Sequence, residues 1–219
     1  MELAARVNDA KYAAFRWRYE LSIPKKLALA LVMVAVTALL AQLKFKLSWS
    51  PVPITGQTLG VLLVGVLLGR WWGGISMGLY AVLGAAGLPL FAGWSRGVAV
   101  LAGPTGGYIV GFVLASLFVG HFSDKYVRSR SFLIMLGLML FANFVLIYVP
   151  GLIQLNRWLV AVKGQSVSLV QLLTMGLIPF LPGDITKAVT AALVARGVTP
   201  KQAFNGEVDK DKWASWRVP

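Results

Sequence analysis

Six apolar stretches follow one another along the chain, and the segments between them contain nearly all of its charged residues. Each stretch approaches the roughly 20 residues that a helix needs to cross the hydrocarbon core of a bilayer, and the third is the shortest. Their bounds are Leu27–Leu43, Pro53–Gly69, Ile75–Leu88, Gly103–Phe122, Phe132–Val149 and Leu169–Val194. The pattern predicts an all-α membrane protein of one domain with six transmembrane helices.

The composition also favours a membrane protein. Of the 219 residues, 58% are hydrophobic and 13% are charged, and the mean hydropathy is +0.73, far above that of a soluble domain. The chain has no cysteine, which excludes disulfides, iron–sulfur clusters and thiolate catalysis. Because no signal-peptide cleavage pattern follows the first apolar stretch, we expect that stretch to be retained as a helix.

The basic residues are distributed unevenly between the two ends of the predicted bundle. The net charge is +13, and 15 of the 21 lysines and arginines fall at one end, whereas five fall in the opposite loops. The segments at the basic end are residues 1–26, Arg70, residues 121–131 and the tail from Arg196. This bias predicts that both termini are cytoplasmic and that the protein crosses the plasma membrane several times. No DNA-binding motif accompanies the charge, so nucleic acid is not a predicted partner.

Three regions are predicted along the chain. Residues 1–26 form a cytoplasmic or interfacial N-terminal segment, residues 27–196 the membrane domain and residues 197–219 a cytoplasmic tail. Aromatic side chains among the basic residues of the first region favour a helix on the inner leaflet of the bilayer. A frayed tail is the alternative for this region.

A strip of small residues on the first membrane helix is a candidate face for docking of a partner protein. Such strips allow two helices to approach closely within a membrane. The residues of the strip are Ala35, Thr37, Ala38 and Ala41. Alanine is also common in membrane helices in general, so the strip has an alternative explanation without a partner.

Asp184 is the one acidic residue that this topology places towards the outside. A carboxylate near the bilayer interior costs roughly 2.5–3.5 kcal/mol, so its presence there suggests a function. It lies with Lys187 in the last apolar stretch, which Pro179, Pro182 and Gly183 interrupt, and interrupted membrane helices point to transporter binding sites. The alternative is a private ion pair between Asp184 and Lys187 that also caps a helix.

The two charged residues, three apart on one helical face, suit a small polar ligand. An ionised aspartate accepts hydrogen bonds from N–H groups, and a lysine donates up to three, so a ureido ring would fit. Arg96 is a candidate partner for a ligand carboxylate, and an exposed loop charge is the alternative. Its loop, residues 89–104, is rich in glycine and apolar residues, which predicts that it dips inward over a cavity. Candidate aromatic walls, or alternatively interface anchors, are Tyr108, Tyr80, Trp49 and Trp94.

The sequence offers little for catalysis. Its single histidine, His121, lies in a basic loop, and the zinc-protease, serine-hydrolase and Walker A patterns are absent. No pair of carboxylates is placed for acid–base or two-metal chemistry. We therefore predict a protein that is not an enzyme, with no catalytic residue, no metal and no cofactor, whose transport energy comes from a gradient or from partner subunits.

Four motifs occur in a recognisable order and spacing. They are PVPITGQTLG at residues 51–60, LGAAGLPLFAG at residues 83–93, GPTGGY at residues 103–108 and IPFLPGDxxK at residues 178–187. Together they resemble the BioY family, the biotin-specific substrate-binding subunits (S components) of energy-coupling factor transporters. The resemblance extends from about Lys25 to Arg196, and it implies the S-component fold with both termini inside.

The resemblance further implies capture of biotin from outside and its transfer with a transmembrane coupling subunit and two cytoplasmic ATPases. The substrate-binding residues that we assign on this basis are Asp184, Lys187, Tyr108, Arg96, Gly106, Gly107 and Gln57. Asp184 is expected to accept the ureido N–H groups, while Lys187 and Arg96 both remain candidates for the carboxylate. The alternatives are a solitary biotin carrier, a subunit for another vitamin and a structural membrane protein.

Overall fold

Within residues 2–204 and 207–209, which this computed structural model describes, nine α-helices account for most of the chain. The helices are α1 (Glu2–Glu20), α2 (Ile23–Gln42), α3 (Gln57–Ala85), α4 (Val98–Ala102), α5 (Gly106–Lys125), α6 (Phe132–Phe141), α7 (Tyr148–Lys163), α8 (Leu169–Gly176) and α9 (Leu181–Val198). A two-stranded antiparallel hairpin, β1 (Lys44–Phe45) and β2 (Ile54–Thr55), lies between α2 and α3. A π-helix covers Ala142–Ile147, and 3-10 turns cover Arg128–Arg130 and Ile178–Phe180.

Among the described residues, five helical segments are long and apolar enough to cross a bilayer. They are Ile23–Gln42, Gln57–Ala85, Gly106–Lys125, Phe132–Lys163 and Leu169–Val198. The predicted second and third spans are both parts of α3, which reverses at Gly69, where φ is +79°, a conformation that glycine adopts readily. The two arms of α3 pack closely after the reversal, since a Cβ added to Gly73 would lie only 3.2 Å from the Cα of Gly65. Counting the two arms of α3 separately gives the six predicted helices.

The fifth predicted span, Phe132–Val149, proves too short. The helical segment continues from Phe132 through the π-helix and α7 to Lys163. Pro150 does not end it and lies directly after the π-helix, where the hydrogen-bonding pattern changes between i→i+5 and i→i+4. Arg157 is one of the five basic residues that the predicted topology assigns to the opposite loops, and it lies on a helix instead.

The last span is interrupted as predicted. Helix α8 ends at Gly176, and a 3-10 turn at Ile178–Phe180 connects it to α9, which begins at Leu181. Pro179 in this turn and Pro182 in the first turn of α9 cannot donate the backbone hydrogen bonds that a continuous helix would need. Asp184 consequently lies in the first turn of α9, where the helix dipole stabilises a negative charge.

The small-residue strip of α2 packs inside the bundle, which corrects its assignment as a docking face. Thr37, Ala38 and Ala41 are buried, and only Ala35 is exposed. The packing partner is α3, because a Cβ added to Gly60 would lie 3.0 Å from the hydroxyl of Thr37. The small side chains thus bring α2 and α3 of the same molecule together.

Helix α1 and the C-terminal segment meet at the end of the bundle where α3 reverses. Lys11 donates to the backbone carbonyl of Arg196 at 3.2 Å. Arg18 donates to the carbonyl of Val66 at 2.5 Å and forms an ion pair with Asp124 at the end of α5. This end carries the basic surplus that predicts a cytoplasmic location. Three further basic residues of the predicted tail lie outside the described residues, namely Lys210, Lys212 and Arg217.

Phe15 connects α1 to the segments that flank it at this end. Its ring lies 3.9 Å from the guanidinium carbon of Arg18 and 4.4 Å from that of Arg130. Arg130 in turn forms a buried ion pair with Glu207 at 2.8 Å. Burial, followed by the charge of Asp124, raises the pKa of the neighbouring Tyr19 to about 12. The frayed-tail alternative for the N-terminal region is therefore wrong, because α1 is helical and packed.

Candidate functional site

A cavity of about 490 Å³ lies at the opposite end of the bundle, a size typical of small-molecule sites. Tyr108 of α5 lines it, and Asp124 at the other end of α5 is about 24 Å away at 1.5 Å per residue. The lining residues come from the β1–β2 segment, the loop between α3 and α5, and the adjoining helices: Lys44, Lys46, Leu47, Ser50, Pro51, Val52, Pro53, Thr55, Gln57, Thr58, Phe91, Ala92, Ser95, Ala99, Val100, Gly103, Pro104, Thr105, Tyr108, Ile109, Phe112, Ile147, Tyr148, Phe180, Asp184 and Lys187. The predicted cavity beneath the outer loop is confirmed.

The carboxylate of Asp184, only 2% exposed, accepts hydrogen bonds from four side chains. Its Oδ1 receives Lys187 Nζ at 2.5 Å and the hydroxyl of Thr58 at 3.2 Å. Its Oδ2 receives the hydroxyl of Tyr148 at 2.6 Å and Nδ2 of Asn143 at 2.9 Å. The predicted meeting of Asp184 and Lys187 is confirmed, but they do not form a private pair.

Lys187 uses its ammonium group to join three parts of the cavity wall. Besides Asp184 Oδ1, it reaches the hydroxyl of Thr58 at 3.2 Å and the backbone carbonyl of Thr55 at 2.7 Å. A lysine has three N–H donors, so these acceptors engage all of them. The lysine thus links α9 to α3 and to the hairpin segment.

Tyr108 and Gln57 also line the cavity, and both are oriented by hydrogen bonds. The hydroxyl of Tyr108 donates to the carbonyl of Gly176 at 2.8 Å, where α8 ends. The amide of Gln57 donates to the hydroxyl of Tyr80 at 2.7 Å and accepts from that of Thr55 at 2.8 Å. The structure therefore brings four of the seven candidate residues together: Asp184, Lys187, Tyr108 and Gln57.

The other three candidates, Gly106, Gly107 and Arg96, are not among the lining residues. The two glycines serve helix packing instead: a Cβ on Gly106 would overlap the carbonyl of Leu101, and one on Gly107 would overlap the carbonyl of Pro150. Arg96 is exposed on the outer loop. The backbone of the same protein therefore lies closest to both glycines.

Lys44 and Lys46, which the sequence reasoning missed, line the cavity from the hairpin segment. Among the lining residues that the structure describes, Asp184 is the only acidic side chain, whereas Lys44, Lys46 and Lys187 are basic. The cavity thus carries two positive charges in excess of its negative charge. Such a wall favours an anionic ligand.

The aromatic part of the wall also differs from the expectation. Of the four predicted aromatic residues, only Tyr108 lines the cavity, whereas Tyr80 is buried behind Gln57. Trp49 and Trp94 are exposed on the outer segments. The remaining aromatic lining comes from Phe91, Phe112, Tyr148 and Phe180.

The fold and the cavity define a multi-pass membrane protein that can hold a small polar ligand near one end of its bundle. The chain belongs to the BioY family, whose model matches residues 11–203.

Two relatives and one solved structure support this membership. A relative from Methanothermobacter thermautotrophicus, described as a probable biotin transporter BioY, is 52% identical over 155 residues, which cover 71% of this chain and 99% of the relative. The biotin transporter BioY of Rhizobium etli is 34% identical over 80% of this chain and 92% of its own length. A crystal structure described as the S-component for biotin from an ECF-type ABC transporter matches with a TM-score of 0.70 and 28% identity, covering 80% of this chain and 93% of that one. The fold is therefore that of an S component.

Proposed function

We propose that this protein captures biotin in the cavity and carries it across the plasma membrane as the substrate-binding subunit of an energy-coupling factor transporter. The observation that carries the proposal is the buried Asp184 carboxylate in the wall of a cavity with a surplus of positive charge. Biotin combines a ureido ring, which offers N–H donors and a carbonyl acceptor, with a carboxylate. The names of the relatives support the same substrate.

The ureido ring would bind at Asp184 by an exchange of hydrogen bonds. The carboxylate has about four acceptor positions, and four protein donors fill them without ligand. A ligand N–H must therefore replace a donor. Lys187 and Thr58 are suitable because both line the cavity and both keep a partner besides Asp184, namely the carbonyl of Thr55 for Lys187 and Lys187 Nζ for the hydroxyl of Thr58. Once displaced from Asp184, their donors can turn to the ureido carbonyl, so no buried group loses its partner.

The carboxylate of biotin would meet the lysines of the hairpin segment. Lys44 and Lys46 line the cavity, whereas Arg96 does not. Lys187 is already engaged by Asp184, Thr58 and Thr55. We therefore assign the carboxylate to Lys44 and Lys46 in preference to the two residues considered from the sequence.

Equilibrium binding of labelled biotin to the purified protein tests this function. We expect saturable binding by the wild type and at least tenfold weaker binding by Asp184→Asn. The amide NH₂ of the asparagine would point at the N–H and O–H donors that surround Asp184, and the loss of a charge-assisted hydrogen bond costs roughly 1.5–3 kcal/mol. Asp124→Asn is the matched control, because Asp124 is also ion-paired but lies at the other end of the bundle. Absence of wild-type binding in folded protein would refute the proposal, and a panel of other vitamins would follow.

We extend the proposal to the partners, namely a transmembrane coupling subunit and two cytoplasmic ATPases. The sequence has no Walker A motif, and the matched crystal structure is described as part of an ECF-type ABC transporter. Biotin uptake should therefore require the coupling proteins when the chain is expressed in a host that lacks its own biotin transport. Equal uptake with and without them would instead support a solitary carrier.

A further inference from the structure

The helix that begins at Phe132 changes to a π-helix beside Asp184. Within it, the backbone N–H of Tyr148 donates to the carbonyl of Asn143, which is the i→i+5 bond of a π-helix. In an α-helix, side chains five residues apart point about 140° away from each other. The wider turn brings both side chains to the same atom, Asp184 Oδ2, at 2.6 Å from Tyr148 and 2.9 Å from Asn143.

Asn143 differs from Tyr148 in its relation to the cavity. Tyr148 lines the cavity, whereas Asn143 is fully buried and is not a lining residue. Its Nδ2 donates to Asp184, but within the described part of the chain no group donates to its Oδ1. A buried amide oxygen without a donor destabilises a protein. Packing alone therefore does not account for the asparagine, because an apolar side chain would leave no unpaired oxygen at this position.

We propose that Asn143 is a positioning residue, which holds Oδ2 of Asp184 so that Oδ1 is presented to the ligand. Rotation of a carboxylate about its Cβ–Cγ bond exchanges its two oxygens, and two donors fixed on Oδ2 oppose that rotation. Oδ1 then stays beside Thr58 and Lys187, both of which line the cavity. The inference rests on the proposed function, since the donors that Oδ1 would receive are those of the ligand.

The test compares Asn143→Leu with Asp184→Asn and with the double variant. Biotin affinity and the unfolding temperature of the ligand-free protein are measured for each. We expect Asn143→Leu to bind biotin at least fivefold more weakly, because one of the two donors that hold Oδ2 of Asp184 is lost, and a cooperative unfolding transition of the ligand-free variant verifies that it is folded. Met139→Leu, a buried change one turn earlier that conserves volume, should alter neither quantity.

The double variant separates positioning from a general structural role. If Asn143 acts through Asp184, adding Asn143→Leu to Asp184→Asn should change the affinity by less than twofold further. Asn143→Ala provides a second, smaller replacement if the leucine variant does not fold, and the same loss of affinity is expected of it.

Two results would overturn the inference while leaving the proposed function intact. One is wild-type affinity in both Asn143 variants. The other is a loss of affinity in the double variant that equals the product of the losses in the two single variants, because the two residues would then act independently. A wild-type protein that binds no biotin would instead refute the proposed function, and the inference would fall with it.

Discussion

Lys187 donates a hydrogen bond to the backbone carbonyl of Thr55 at 2.7 Å, across 132 residues of sequence. The bond joins α9 to β2 of the hairpin segment that borders the cavity. A second bond holds the same segment, because the hydroxyl of Ser50 donates to the carbonyl of Met175 at 2.6 Å. The segment over the cavity is therefore attached to both halves of the interrupted last span.

Replacing Lys187 with methionine should weaken ligand retention and loosen the hairpin segment together. Methionine keeps most of the apolar stem but removes the donors to Thr55, Thr58 and Asp184. We expect biotin affinity to fall about tenfold or more, since hydrogen bonds of charged groups contribute roughly 1.5–3 kcal/mol. Amide hydrogen exchange over residues 47–56 should become faster in the ligand-free protein. Unchanged exchange would show that the bond to Thr55 does not restrain the segment.

Neutralising Lys44 or Lys46 should weaken binding only of ligands that carry a carboxylate. We expect Lys44→Gln and Lys46→Gln each to lower biotin affinity a few-fold, on the order of 1 kcal/mol for a partly exposed charge pair. The affinity for biotinamide, whose carboxylate is replaced by a neutral amide, should stay the same. Competition binding at low and high salt measures both effects.

Arg96→Gln serves as the matched control for these two variants. This substitution also removes one positive charge from the same end of the bundle, but Arg96 does not line the cavity. Its replacement should leave biotin affinity unchanged. A larger loss of biotin affinity in Arg96→Gln than in either lysine variant would instead assign the ligand carboxylate to Arg96.

Most of the helical bundle could be predicted, because the length of an apolar stretch is a local property. The turn at Gly69 was predicted, and the structure shows that it brings this residue against the Asp124 carboxylate. The error was the end of the fifth span, because the helical segment continues past Val149 and Pro150, directly after the π-helix. A π-helix cannot be recognised from the apolar pattern.

The residues of the candidate site could also be predicted only in part. Asp184 and Lys187 were predictable, because charges within an apolar stretch form a local signal. Thr58, Asn143 and Tyr148 were missed, because uncharged polar side chains stand out little and lie 126, 41 and 36 residues from Asp184. Asn143 did carry one signal, since it is the only amide side chain in the stretch 132–149.

The buried ion pair of Arg130 and Glu207 should contribute strongly to stability and little to binding. Both side chains are at most 2% exposed, and Arg130 also donates to three backbone carbonyls. Glu207→Gln should lower the free energy of unfolding by about 3–5 kcal/mol, because it leaves a buried charge uncompensated. Glu20→Gln, which breaks the exposed pair with Arg16, should leave the free energy of unfolding nearly unchanged, because solvent screens the pair. Equal losses in the two variants would contradict a buried network at this end.

A substitution at Gly107 distinguishes a role in helix packing from a role in ligand binding. A Cβ on Gly107 would lie 2.7 Å from the Cβ of Gln154 and would overlap the carbonyl of Pro150, so Gly107→Ala must push α5 away from α7. We expect the free energy of unfolding to fall by about 1–3 kcal/mol. Gly137→Ala is the matched control, because nothing lies within 4 Å of its added Cβ, and it should raise stability by up to about 1 kcal/mol. Unfolding in detergent measures the stability of both variants. Weaker biotin binding by a Gly107→Ala protein of unchanged stability would show that Gly107 contacts the ligand.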